Sequence, residues 1–309
     1  MSGLCAGRVV IVTGAGGGIG RCHALAFARE GARVVVNDLG GGPDGSGSSA
    51  GPAHAVVDEI VAAGGEAVAN TDDVASWAGA ERLVRQAIDG FGGLDVLVNN
   101  AGILRDRMMV NMTEAEWDAV ITVHLKGTFA PSHFAPSHFA AGYWRDRAKA
   151  GEDVDARIIN TTSPSGLFGN VGQANYGAAK AGIAGFTVIA AQELVRYGVT
   201  VNAIAPTALT RLTGSVLGLD GVDEETRKGM APEHISPLAV WLGSSQSRAI
   251  TGRVFGVWGP RISVAEGWAY GPSVSGDGEW DPAALGEILP DLVARAAGNA
   301  DLMGDRPPR

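Results

Sequence analysis

The stretch Arg8-Val-Val-Ile-Val-Thr-Gly-Ala-Gly-Gly-Gly-Ile-Gly20 decides the fold. An unbroken β-branched run predicts a strand buried on both faces, and the glycines after it predict a sharp turn into a helix over about Ile19–Arg29. Glycines let backbone approach a pyrophosphate, and the N-terminus of the helix offers unpaired N–H groups and partial positive charge to it. A second strand, Arg33-Val-Val-Val36, follows and ends near Asp38. That acid lies roughly 20 residues beyond the glycines, where the ribose hydroxyls of a bound dinucleotide are read. A carboxylate there accepts from the 2′-hydroxyl of NAD and repels the 2′-phosphate of NADP, and no arginine follows it. NAD is therefore the expected cofactor, with Gly14, Gly18, Ile19, Gly20 and Asp38 as binding residues.

Working outward, strands and helices alternate. Helices are expected near Pro52–Ala63, Trp77–Phe91, Glu114–Arg147 and Ala174–Tyr197. Strands are expected at Ala67–Asn70, Leu94–Val98, Arg157–Thr161, Val199–Ile204 and, last, Arg253–Val257. Continuous apolar strands joined through helices predict an α/β fold: a doubly wound, Rossmann-like parallel sheet in a single domain over residues 5–260, with a C-terminal extension at 261–309. Pro282–Ala297 is a helical candidate within that extension. Gly40–Gly51 is expected to be an exposed loop. Thr207–Met230, polar and placed after a strand, is expected to be a mobile substrate lid.

Composition narrows the function. The net charge of −9 disfavours nucleic acid and anionic membrane as partners. Hydrophobic residues make up 46% and charged residues 18%, enough for a large core and unlike a disordered chain. Cys5 and Cys22 are too few for a disulfide framework or a four-thiolate zinc site, so no metal is expected and a reduced, cytoplasmic setting is. No apolar run is expected to span a membrane, and the first strand begins with no signal peptide ahead of it.

Further candidates lie at strand ends. Asp73-Val74, after the third strand, either holds adenine or caps the next helix. Asn99-Asn-Ala-Gly102 closes the fourth strand, and Asn100, Ala101 and Gly102 are small enough to let backbone approach the cofactor. Tyr176 and Lys180 are four apart in a helical stretch and so share a face. A neighbouring ammonium favours tyrosinate and is expected to lower a pKa that starts near 10. Tyr176 then exchanges a proton with an alcohol or carbonyl, and Ser163, just past the preceding strand, bonds the same oxygen.

Taken in order, Thr13–Gly20, Asp38, Asn99–Gly102, Ser163, Tyr176/Lys180 and Asn202-Ala-Ile-Ala-Pro206 resemble the short-chain dehydrogenase/reductase family over residues 7–258. The resemblance implies that Ser163 orients the substrate oxygen and Tyr176 exchanges its proton. It implies that Lys180 holds the nicotinamide ribose and that the chain works as a homodimer or homotetramer. Thr207 stands where the wider family often has glycine.

Val35–Gly41, Asn99–Arg107, Val123–Gly127 and Gly172–Tyr176 resemble more narrowly the dehydrogenase domain of peroxisomal multifunctional enzyme type 2 and actinobacterial relatives of steroid side-chain degradation. That implies NAD-dependent oxidation of a 3-hydroxyacyl-CoA, a small-molecule substrate with a bulky, steroid-derived acyl group. His124 fits this subgroup, where it either supports a proton-relay water or is simply a packed histidine. A 17β-hydroxysteroid dehydrogenase and a non-catalytic NAD-binding scaffold are the alternatives. The intact Ser163/Tyr176/Lys180 set argues against the scaffold. Arg105, Arg107, Arg211 and Arg261 are candidate cations for CoA phosphates.

Residues 130–134, Ala-Pro-Ser-His-Phe, recur at once as 135–139. Five residues turn a helix about 140° past a full turn, and Pro136 lacks the N–H of a helical bond. A kink or bulge near 130–140 is expected, with consequences for helix packing and oligomerisation.

Overall fold

The computed structural model describes residues 3–133, 140–210 and 223–306. The first half runs β1 (Val9–Thr13), α1 (Gly18–Arg29), β2 (Arg33–Asn37), α2 (Gly51–Ala62), β3 (Glu66–Asn70), α3 (Trp77–Phe91) and β4 (Val96–Asn99). Then follow α4 (Glu114–Ile121), α5 (Gly127–Ser132), α6 (Ala140–Lys149) and β5 (Ala156–Thr161). The second half continues with α7 (Pro164–Phe168), α8 (Ala174–Leu194), β6 (Val199–Thr207), α9 (Glu224–Gly229), α10 (Ser236–Gly243), β7 (Val254–Trp258), β8 (Arg261–Ala265) and α11 (Pro282–Arg295).

The strands form one sheet in the order β3-β2-β1-β4-β5-β6-β7-β8. All neighbours pair in parallel except β7 and β8. Alternate residues of each strand serve opposite faces. Val10 and Val12 pack with Phe27 of α1, Val56 of α2 and Leu238 of α10. Val9 and Ile11 pack with Leu83 of α3, Trp144 of α6 and Ala190 of α8. Burying both faces favours apolar residues at most strand positions, which is why the strands were legible as continuous runs; buried polar residues such as Arg157 and Asn160 are hydrogen-bonded. The chain leaves β1 toward β2 and β3, then returns to place β4 on the other side of β1. The ends of β1 and β4 therefore diverge and open a crevice there.

Four sequence expectations change. The last strand is not at Arg253–Val257: β8 pairs antiparallel with β7, Val257 opposite Ile262, so the sheet continues past residue 260. The helical sequence over Glu114–Arg147 is not one helix. A π-helical turn at Thr122–Lys126 separates α4 from α5, and α5, which contains Pro131, ends where His133 turns extended at ψ 166°. The interruption agrees with the expected kink, although residues 134–139, most of the repeat, lie outside the described residues. The expected lid is not irregular throughout, since β6 runs to Thr207 and α9 lies within the lid segment; residues 211–222 lie outside the described residues. The stretch Ala174–Tyr197 is long and apolar enough to cross a membrane, with a mean hydropathy of 1.2. Here it is a core helix, burying Ala179, Lys180, Ile183 and Thr187 against the fold.

Two buried polar groups tie the layers together. The Arg157 guanidinium, at the start of β5, donates to the Ser244 carbonyl, the Ser247 hydroxyl and the Asp155 carboxylate. It thereby anchors the chain that follows α10. On α1, His23 Nδ1 lies 2.9 Å from the Ser236 hydroxyl at the start of α10. Burial pushes the His23 pKa from 6.5 down to about 3, so the ring is neutral.

In the unfolded chain His23 takes up a proton below its ordinary value of 6.5; in the folded chain it does so only near 3. The unfolded state binds more protons across that window, so stability is full above it and is lost as pH falls through it. Melting temperature should fall steadily below pH 6.5, and His23→Gln should give a shallower acid slope than the wild-type chain in a thermal-melt series. An unchanged slope would show that His23 does not contribute to it.

Candidate active site

The crevice between the β1 and β4 ends is a cavity of about 450 Å³. At one end it is lined by the glycine turn and Asp38, and at the other by Ser163, Tyr176 and Lys180.

The glycine turn is a close fit of backbone to backbone. A Cβ on Gly20 would lie 2.1 Å from the Gly14 carbonyl oxygen and 2.4 Å from Asn100 Nδ2. A Cβ on Gly14 would lie 2.7 Å from Ala101 Cα, and Gly14 itself has φ +64°. Gly18 also needs the left-handed region, at φ +52°. The helix start at Gly17 has no side-chain cap, so its N–H groups remain available to an anion. Ile19, partly buried, packs against the core beneath the turn.

Asp38 accepts hydrogen bonds from Gly16 N (2.7 Å) and Gly40 N (2.7 Å). Its carboxylate thus stands beside the glycine turn, placed by β2. The Gly40–Gly51 loop, expected to be exposed, also folds onto the cavity rim, where Leu104 N donates to the Pro43 carbonyl. Asp73 and Val74 line the same end. Asp73 accepts from Ala75 N, but the cap of α3 is Ser76, which accepts from Gly79 N. The capping alternative for Asp73 therefore does not hold. Asn100 Nδ2 donates to the Thr13 and Gly14 carbonyls at 3.0 and 3.2 Å. Its side chain is spent on fastening β4 to the turn, and Ala101 and Gly102 are the residues that present backbone to the cavity.

At the other end, α7 starts directly after β5, with Ser163 as its cap accepting from Ser165 N. A Cβ on Gly166 would lie 2.6 Å from Lys180 Cβ, so glycine there lets α7 sit flat on α8. This brings Ser163 beside Tyr176, whose phenol its hydroxyl favours in the ionised form. Lys180 Nζ donates to the Thr161 carbonyl (2.6 Å) and lies 5.5 Å from the centre of the Tyr176 ring. Burial pulls the Lys180 pKa from 10.5 down to about 7. Tyr176 contradicts the expectation of a lowered value: burial pushes its phenol up to about 12, and the Ser163 hydrogen bond offsets this only in part. Desolvation disfavours the charged form of each group more than the pairing favours it.

His124 is buried in the π-helical turn with its ring edge-on to Tyr176, centroids 5.1 Å apart. Its Nε2 lies 2.7 Å from the Ile103 carbonyl oxygen and 3.1 Å from Ile103 N, and Nδ1 has no hydrogen-bond partner among the described residues. Burial lowers its pKa to about 3, so the ring is neutral. A Cβ on Gly102 would lie 2.3 Å from His124 Cε1, which gives that glycine a second reason to be small.

Sequence reasoning missed Asp106 and Gln173. Gln173 Nε2 donates to Asp106 (2.7 Å), while its Oε1 accepts from Ser165 Oγ (2.7 Å) and Asn170 (3.0 Å). Burial raises the Asp106 pKa, and its charge raises that of Tyr176. Asn175, wholly buried, donates to the Arg105 and Glu116 carbonyls and accepts from Tyr176 N. The bonds to Asp106, Arg105 and Glu116 join residues 59 to 70 positions apart only through the fold; an Asn-Tyr or Gln-x-x-Tyr spacing was the sole sequence signal. The arginines suggested for CoA are otherwise engaged or peripheral. Arg105 donates to the Asp44 carbonyl, Arg107 pairs with Glu116, and Arg261 lies on the edge strand. Arg211 lies outside the described residues.

A short chain dehydrogenase model matches residues 8–216, a span that includes the whole constellation. The chain belongs to the short-chain dehydrogenase family. As a family member it is an oxidoreductase that works with a nicotinamide cofactor, NAD or NADP. It is 45% identical over 296 residues to hydroxyacyl-CoA dehydrogenase ChsB1 of Mycobacterium tuberculosis, covering 93% of this chain and 89% of that one. It is 47% identical over 261 residues to peroxisomal multifunctional enzyme A of Dictyostelium discoideum, 84% of this chain but about half, 53%, of that protein. A crystal structure of a short chain dehydrogenase from Mycobacterium avium matches with a TM-score of 0.86 and 59% identity, over 97% of this chain and 99% of that one.

The Gly102 contact yields a test within this dehydrogenase. Gly102→Ala should lower the melting temperature, because the new methyl meets the His124 ring. In a His124→Ala background the same change should cost much less. Equal costs in both backgrounds, read by denaturant titration, would show that the ring does not set the constraint.

Proposed function

We propose that this dehydrogenase oxidises a 3-hydroxyacyl-CoA to the 3-oxoacyl-CoA with NAD, the acyl group being bulky and steroid-derived. The observation that carries the reaction is the convergence of Ser163, Tyr176 and Lys180 at one end of a cavity whose other end is the glycine turn and Asp38. The curated relatives named as hydroxyacyl-CoA dehydrogenase and as peroxisomal multifunctional enzymes support the substrate class.

The cradle fits a dinucleotide. Gly14 and Gly20 let the turn close tightly on Ala101 and Asn100, Gly18 carries no side chain at the cavity, the uncapped start of α1 suits a pyrophosphate, and Asp38 suits a ribose diol. Bound there, NAD supplies the acceptor for the hydride leaving the alcohol carbon. The protein supplies the proton path. Ser163 Oγ holds the substrate oxygen, and the Tyr176 hydroxyl exchanges its proton. Lys180, held by the Thr161 carbonyl, stands beneath the phenol as the next group able to move a proton at neutral pH. The unpartnered Nδ1 of His124 makes that ring a candidate to hold a relay water.

A homo-oligomer accords with the exposed apolar residues of α8, Val188 and Ile189. Residues 5–260 carry the catalytic machinery in this reading, and the segment from 261 onward completes the sheet and the cavity.

Asp38 predicts a cofactor preference. The kcat/KM for NAD should exceed that for NADP by at least tenfold, and Asp38→Ala should shrink the ratio. Equal or better use of NADP by the wild-type enzyme would overturn the NAD assignment.

Tyr176→Phe should nearly abolish turnover yet leave NAD affinity, read by fluorescence titration, close to wild type. Lys180→Ala should damage both. Because burial holds the phenol protonated, oxidation should accelerate as pH rises above 7, while the reverse reduction, which consumes a proton, should not. Retention of most activity by Tyr176→Phe would remove the assigned mechanism.

A further inference from the structure

After β8 the chain leaves the body of the protein. Trp268 and Tyr270 are fully exposed, and α11 buries no residue. Yet the chain returns: Leu302 and Met303 line the same cavity as Ser163, Tyr176 and Lys180. They sit on a turn with its own internal bonds. The Asp301 carboxylate accepts from Met303 N (2.9 Å) and Asp305 N (3.0 Å). Gly304 N donates to the Asp301 carbonyl and Asp301 N to the Asp305 carbonyl, each at 2.9 Å. Gly304 takes φ +83°, which few other residues would adopt, and its α-carbon abuts the Phe168 ring, within 3.3 Å of where a Cβ would stand. Phe168 ends α7, the helix that Ser163 caps. The turn is thus braced in shape by Asp301 and Gly304 and in place by Phe168.

We propose that the turn Asp301–Asp305 is a specificity element of the active site, with Leu302 and Met303 forming an apolar wall against the larger carbon substituent of the reacting alcohol. A flexible, unbranched Met beside a Leu suits a bulky apolar group of irregular shape. The glycine turn and Asp38 occupy the nucleotide end of the cavity, so a wall braced against α7 faces the substrate end. The phrase "larger substituent" means the acyl chain under the reading above, and the inference rests on that reading.

The test compares two substrates in the full-length enzyme: 3-hydroxybutanoyl-CoA and a 3-hydroxyacyl-CoA carrying a polycyclic steroid side chain. In the double variant Leu302→Ala/Met303→Ala the ratio of kcat/KM, bulky over short, should fall by about tenfold or more, with the loss carried by the KM of the bulky ester. Asp301→Ala, which removes two of the turn's bonds but leaves both apolar side chains, should lower the ratio in the same direction. A ratio equal to wild type in the double variant overturns the inference. If the wild-type enzyme turns over neither ester, the acyl-CoA reading fails by itself. The same variants are then compared on 2-propanol and a 17β-hydroxysteroid, where a lowered large-to-small ratio upholds the wall and an unchanged ratio overturns it.

Discussion

The contact on which the structure depends is the meeting of three backbones at Gly14, Gly20 and Ala101. The Gly14 carbonyl lies where a Cβ of Gly20 would be, and Ala101 Cα lies where a Cβ of Gly14 would be. Asn100 locks the arrangement by donating to the carbonyls of Thr13 and Gly14, and the Thr13 hydroxyl accepts from Asn100 N and Ala101 N. Only at this separation do β1 and β4 open into a crevice whose floor is backbone rather than side chain. The glycine end of the cavity is therefore a property of main-chain packing, with the Asp38 carboxylate held beside it by Gly16 N and Gly40 N.

The catalytic end is built on a different principle. Here the fold withholds water from an ammonium that would otherwise be charged and from a phenol that would have to ionise to accept a proton. Lys180 and Tyr176 are both moved toward their neutral forms by burial. Lys180 is thereby brought down to about 7, whereas Tyr176 is carried up to about 12, away from neutral pH. Ser163 favours the tyrosinate, whereas the Asp106 charge opposes it. Asp106 is held through Gln173 to Ser165, whose N–H donates to Ser163 Oγ, so one hydrogen-bonded chain connects Ser163 to the carboxylate whose charge raises the Tyr176 value. Shape and proton affinity are set by the same bonds.

The two ends meet because α7 and α8 pack without a gap. Glycine at 166 lets α7 lie against Lys180, and the exposed return of the chain at Leu302 and Met303 closes onto the far side of α7. A segment that contributes little to the core thereby lines the same cavity as Ser163, Tyr176 and Lys180, and its turn rests on Phe168, the last residue of the helix that Ser163 caps.

Much of this was legible in the sequence. Continuous β-branched runs mark strands buried on both faces, because a polar residue there must find a hydrogen-bond partner, as Arg157 and Asn160 do. Gly14, Gly20, Asp38, Tyr176 and Lys180 are recognisable because local geometry, a tight turn or one helix face, dictates their spacing. What the sequence leaves open depends on contacts between distant residues. The turn of His124 into a π-helix, the Asp106–Gln173 bond, β8 at the sheet edge and the upward shift of Tyr176 each arise from burial or pairing across the fold. A proton affinity is a property of surroundings, and the surroundings of Tyr176 are assembled from segments 70 residues apart, such as Arg105 and Asn175. The sequence by itself determined the parallel strands, the glycine turn and the shared helix face of Tyr176 and Lys180; tertiary structure alone decided the edge strand β8, how burial shifts that pair and what stands opposite it.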